Sequence, residues 1–157
     1  MVRAARYAYV ALAWAFVAAI VVQVFLIGLG IFVDPRNREL HATVGWLLHL
    51  APLPILVAAA AAAAGRAQIL QALALTVTIF FVPILAAIRA DAALAAAFHP
   101  VGALLAFWLA TVVARGATRL VATRDEGART PIWAWVVVVL VVAIVLGVSL
   151  TGSPSAA

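Results

Sequence analysis

Five long apolar runs leave this chain few ways to fold. They span Tyr7–Val33, Leu40–Ala64, Ala67–Ile88, Ala92–Ala114 and Pro131–Leu150. Each is near or above the roughly 20 residues a helix needs to cross a hydrocarbon core. None carries the polar stripe of an amphipathic surface helix, so the runs suit lipid on most of their faces. A backbone in lipid must satisfy its own polar groups, and for an open chain that means helix. The expected fold is all-α: a single integral membrane domain over 1–157, a polytopic bundle of five transmembrane helices.

Composition supports this. The chain is 69% hydrophobic and 10% charged, whereas a soluble domain carries about a quarter charged residues. Too little polar surface is available to cover a water-soluble globule. The connections are short: Asp34–Glu39, then Gly65 and Arg66, then Arg89–Asp91. Such links force antiparallel neighbours, so the first four helices form an up-down core with the fifth packed peripherally. The longest loop expected is Arg115–Thr130.

The formal charge of +5 comes from arginine without lysine. The arginines flank the apolar runs, which points to membrane topology rather than to a nucleic-acid partner. With the N-terminus in the cytoplasm, the inner segments hold seven arginines (3, 6, 66, 115, 119, 124 and 129) and the outer ones three (36, 38 and 89). The positive-inside rule favours that orientation, with the C-terminus outside. Arginine and alanine bias suggests a bacterial cytoplasmic membrane. The absence of cysteine excludes thiolate ligation, disulfides and covalent haem attachment.

Ionisable groups inside a bilayer are the first place to seek function. Here they are His41 and His49 in the second run and His99 in the fourth. Those two runs are parallel. His49 lies 10 residues after Glu39 and 17 before Arg66, and His99 lies 8 after Asp91 and 16 before Arg115. These intervals place His49 and His99 at similar depth, within roughly 3 Å along the axis. Two imidazoles on facing helices suit the iron of b-type haem, one on each face. His49 and His99 are therefore the expected metal ligands. Gly45 and Gly102 would let a macrocycle approach the backbone, and Arg36 and Arg38 would pair with its propionates. Gln23 and His41 are expected to support a ligand or face a quinone. A weak internal match, His41-Ala-Thr-Val-Gly-Trp-Leu-Leu against His99-Pro-Val-Gly-Ala-Leu-Leu, keeps a His41–His99 pair open.

The segments Gln23-Val-Phe-Leu-Ile-Gly-Leu-Gly, His41-x-x-x-Gly45-x-x-x-His49 and Phe98-His99-Pro100-Val101 resemble a bacterial family of short membrane proteins, a domain of unknown function. The resemblance covers roughly residues 5–115 and implies a membrane location without an activity. More distantly, histidines on facing helices look like those of transmembrane b-type cytochromes and haem A synthase. Those bundles usually carry two histidine pairs, and three histidines complete only one.

The expected function is a small haem b protein of the cytoplasmic membrane, an electron carrier or haem-handling protein rather than an enzyme in its own right. A quinone or a larger membrane complex would be its partner. The alternative is a non-catalytic membrane subunit or assembly factor whose histidines only bridge helices.

Overall fold

A computed structural model describes residues 2–122 and 129–151. Among them there is no strand, and five helical spans are long and apolar enough to cross a membrane. The first is α1 (Val2–Phe32). The second is broken into α2 (Asn37–Leu48) and α3 (Pro52–Ala61). The third is α4 (Arg66–Ala87), extended by a 3₁₀ turn over Ile88–Ala90. The fourth is broken into α5 (Ala93–Ala96) and α6 (His99–Ala122). The fifth is α7 (Ile132–Thr151).

The first four spans form a closed ring. Helix α1 packs against α6 on one side and against α2 and α3 on the other, while α4 packs against α3 and α6. The second and fourth spans therefore stand at opposite corners, running parallel. Helix α7 lies outside the ring against α3 and α4.

Proline sets the two breaks. Pro52 and Pro54 have no N–H for the carbonyls of Leu48 and Leu50. Those carbonyls instead accept tighter bonds from Ala51 and Leu53, at 3.0 and 3.1 Å. The chain leaves α-geometry for one turn, and His49 sits in that turn. Pro100 likewise leaves the Ala96 carbonyl without its helical partner. It stands in the first turn of α6, where the missing N–H costs least.

Four boundaries differ from the sequence expectation by three residues or more; the first is the start of α1, at Val2 rather than Tyr7. The second span ends at Ala61 rather than Ala64, because Ala63 turns into the left-handed region at φ 52° and Ala64 N–H closes back on the Ala59 carbonyl. The fourth span continues to Ala122, so Arg115 and Arg119 are helical and not in a loop; arginine, leucine and alanine are good helix formers and carry the helix beyond the apolar run. Helix α2 starts at Asn37, three residues before the apolar run. The expected loop residue Arg124 lies outside the described residues.

The core occupies the half of the ring nearest Gly65. Tyr9, Ala13 and Phe16 of α1 meet Ile55, Leu56, Ala59 and Ala60 of α3, Ile69, Ala72 and Leu75 of α4, and Ala110, Val113 and Ala114 of α6. The alanines allow close helix approach, the usual device where lipid gives no hydrophobic drive to association. Buried Arg6 donates to the Ala62 carbonyl at the end of α3, where a cation offsets the negative end of the helix dipole. Beside it Tyr9 is fully buried and its hydroxyl has no hydrogen-bond partner. An unpaired buried hydroxyl costs about 1–3 kcal/mol. Tyr9→Phe is therefore expected to raise the thermal midpoint of the detergent-solubilised protein. A lowered midpoint would mean that the hydroxyl has a partner in solution.

The opposite half is loose. Neither α2 nor α5 buries a residue fully, and the histidines lie there.

Candidate functional site

All three histidines line one cavity of about 90 Å³ at the centre of the loose half. Phe16, Ile20 and Gln23 contribute from α1, Ile79, Val82 and Pro83 from α4, and Ala103 and Ala106 from α6. Gly45 and Leu48 complete the wall beside His41 and His49.

His41 and His99 face one another from diagonal corners. Their ring centroids are 6.3 Å apart, with ring planes at 85°. The depth count from flanking charges put His49 opposite His99, but the ring beside His99 is that of His41. The physical reason lies in the helix starts. His41 comes four residues after Asn37, where α2 begins, and His99 six after Ala93, where α5 begins, while His49 comes twelve after Asn37. At about 1.5 Å per residue, His41 is the better match in depth.

Each of the facing imidazoles is oriented in the same way. His41 Nδ1 is 3.1 Å from the Gln23 carbonyl on α1, and His99 Nδ1 is 2.8 Å from the Val82 carbonyl on α4. A carbonyl only accepts, so both Nδ1 atoms carry a proton, and in the neutral ring the lone pair is on Nε2. No hydrogen bond reaches either Nε2 among the described residues.

A glycine accompanies each histidine. A Cβ on Gly45 would stand 3.2 Å from Gln23 Nε2, and one on Gly102 would stand 3.1 Å from Val82 Cγ2. The residue that orients each histidine thus also packs on the glycine one turn further along. The sequence separations agree as well: 18 residues between Gln23 and His41, 17 between Val82 and His99. The first two spans and the next two repeat one arrangement, in line with the internal match between the His41 and His99 segments.

His49 is held differently. Its Nδ1 donates to the Trp46 carbonyl one turn back. Its Nε2 is 3.1 Å from Ser149 Oγ on α7, so the hydroxyl donates and both ring nitrogens are engaged. The ring also contacts Trp46 and Phe80, at centroid distances of 5.5 and 6.4 Å.

The remaining expected residues divide. Gln23 lines the cavity, and its Oε1 is buried without a partner. Gly102 lies behind the wall, against Val82. Arg36 does not turn inward but pairs with Asp34 at 2.6 Å. That pair and the Arg36 backbone N–H hold the Asp34 carboxyl below its ordinary value. Arg38 donates to the Gly30 carbonyl at 3.1 Å. Neither arginine hydrogen-bonds to a cavity residue.

Two participants escaped the sequence reading. Val82 acts through its carbonyl, which no side-chain pattern reveals, although its place before Pro83 parallels the break near His49. Ser149 lies at the polar end of the last apolar run and shows its use only when α7 is docked. Among the described residues no cluster of three or more His, Cys, Asp or Glu side chains is present. Any metal held here would therefore be held by two imidazoles, with the rest of its coordination supplied by its own ligands.

Residues 23–90 match the model of a family of unknown function, DUF6220. That segment begins at Gln23 and includes His41, Gly45, His49 and Val82, but not His99. No curated protein and no solved structure matches the chain.

Proposed function

We propose that this chain is a membrane b-type haem protein whose iron is held by His41 and His99. The single observation that carries the reading is the pair of pre-oriented imidazoles across the bundle. The two rings stand 6.3 Å apart, close enough that a metal between them would be held by both. Each Nδ1 proton rests on a backbone carbonyl, the outer-shell support that fixes a metal-binding histidine in one tautomer. The site is apolar and carries no carboxylate, which suits a neutral bis-imidazole pair better than zinc, for which four ligands are usual.

The cavity is too small for the whole cofactor. Pockets that enclose drug-sized ligands run to roughly 300–1,000 Å³, against about 90 Å³ here. Loading a porphyrin therefore requires the walls to part. The pieces that proline breaks off from the second and fourth spans, α2 and α5, bury no residue fully and have least packing to lose. Bound haem would supply one-electron chemistry within the membrane, exchanged with a quinol or a neighbouring membrane complex. His41 and His99 would hold it, and the buried Gln23 Oε1 would accept a hydrogen bond from a protic group brought beside it. Electron transfer and haem handling are both compatible with one such site.

The test is an absorption spectrum of detergent-purified protein from haem-supplied cells, oxidised and dithionite-reduced. Sharp reduced α and β bands at near one haem per chain are expected. Folded but colourless protein would sink the reading and favour a second one, a structural subunit, which the His49–Ser149 bridge between helices already exemplifies.

A further inference from the structure

We infer that α7 is the lid of a lateral entrance to the histidine cavity, latched by the hydrogen bond between Ser149 and His49. The inference takes only the size of the ligand from the haem reading; the lid itself is argued from packing. A partly open space of about 90 Å³ admits no large ligand unless its walls part, and the ring has one weak wall. The contacts of α1 with α6, of α4 with α6 and of α1 with α2 are extensive, whereas α2 meets α4 only sparsely. Helix α2 buries no residue fully. The seam between α2 and α4 is where His49 stands against Phe80, its centroid 6.4 Å away, with the cavity directly behind it.

Helix α7 runs alongside α3 and α4 and meets this seam at its far end, through Ser149. It packs on α3 and α4 and touches the ring along one stripe, Ala134, Val138, Val141, Val142 and Val145. Near its start Thr130 donates to the Ala60 carbonyl. Near its other end Ser149 reaches His49 at 3.1 Å. The latch is thus a polar contact at the point where the α2–α3 break borders the cavity. Most other side chains of α7 are apolar and exposed, among them Val136, Val139, Leu140 and Ile144, so lipid solvates its outer face as readily when it shifts. A ligand dissolved in the bilayer would enter between α2 and α4 once the latch opens. His49, conspicuous in the sequence as a ligand, is on this account the hinge-side half of the latch.

The chain has no cysteine, so single reporters are clean. Ala103→Cys places a thiol on the cavity wall, and Ala114→Cys places one in the tightly packed core, fully buried. Both are reacted in liposomes, without haem, with a lipid-soluble maleimide. A cross-helix hydrogen bond in a membrane is worth about 0.6–1.7 kcal/mol. Ser149→Ala should therefore speed labelling at Ala103→Cys by about 3- to 20-fold, with the rate at Ala114→Cys unchanged. Ser149→Thr, which keeps the hydroxyl, should restore slow labelling. Equal rates at Ala103→Cys with and without Ser149→Ala would overturn the lid, and so would equal acceleration at both reporters, which is general loosening. Because the reporters need no cofactor, a colourless protein with a gated Ala103→Cys would defeat the haem reading alone.

Discussion

His41→Ala and His99→Ala should each abolish the low-spin haem spectrum, and His49→Ala should leave it in place. The asymmetry follows from how the three rings are tied. His41 and His99 present an Nε2 lone pair to one space, with Nδ1–H directed at the carbonyls of Gln23 and Val82. His49 commits Nδ1 to the Trp46 carbonyl and Nε2 to Ser149, so freeing it as a ligand would first break both contacts. With either imidazole removed the cofactor would be held by a single histidine, and haem content should fall at least tenfold. That corresponds to a loss of about 1.4 kcal/mol or more in binding. Reduced difference spectra with haem-to-protein ratios decide the matter. A normal bis-imidazole spectrum in His41→Ala together with its loss in His49→Ala would return the ligand pair to His49 and His99. Retention in all three variants would remove histidine ligation altogether.

That choice between histidines shows where sequence reasoning reached and where it stopped. Five helices were legible because runs of this length and apolarity have no other stable solution in lipid. The up-down ring followed from the short links at Gly65 and Arg89, and the peripheral fifth helix from the long connection before Pro131. The breaks were only half legible. Pro52, Pro54 and Pro100 announced weakened helices, but not that a full turn around His49 would leave α-geometry. The depth count failed because it measured from charges at the ends of apolar runs. Asn37, Arg38 and Glu39 are already helical, which carries His41 about half a turn further from the helix start than its distance from Glu39 suggests. The internal match between the His41 and His99 segments carried the better information, since it compared like with like: histidine, then glycine, on the second helix of each pair. The backbone acceptors could not be read at all, because every residue offers the same carbonyl and only packing selects which one a side chain meets.

The glycines of that repeat should not tolerate alanine equally, although the sequence gives no reason to separate them. At Gly45 the added methyl would press on the amide of Gln23, the far end of a flexible side chain, at 3.2 Å. The amide can rotate away while the Gln23 carbonyl stays on His41. At Gly102 the methyl would press on Val82 Cγ2 at 3.1 Å. A β-branched side chain on a helix has one strongly preferred rotamer, so the strain passes to the backbone of α4, whose Val82 carbonyl orients His99. Overpacking of this kind costs about 1–3 kcal/mol. Gly102→Ala is therefore expected to lower the thermal midpoint and reduce haem content severalfold, while Gly45→Ala changes both only slightly. The double variant Gly102→Ala, Val82→Ala removes the clash without touching the carbonyl and should recover most of both losses, since contacting residues couple non-additively. If Val82→Ala instead deepens the defect, the two helices do not meet there as described. If the midpoint recovers and the haem content does not, then the Val82 side chain itself, and not only its carbonyl, forms part of the cofactor's wall.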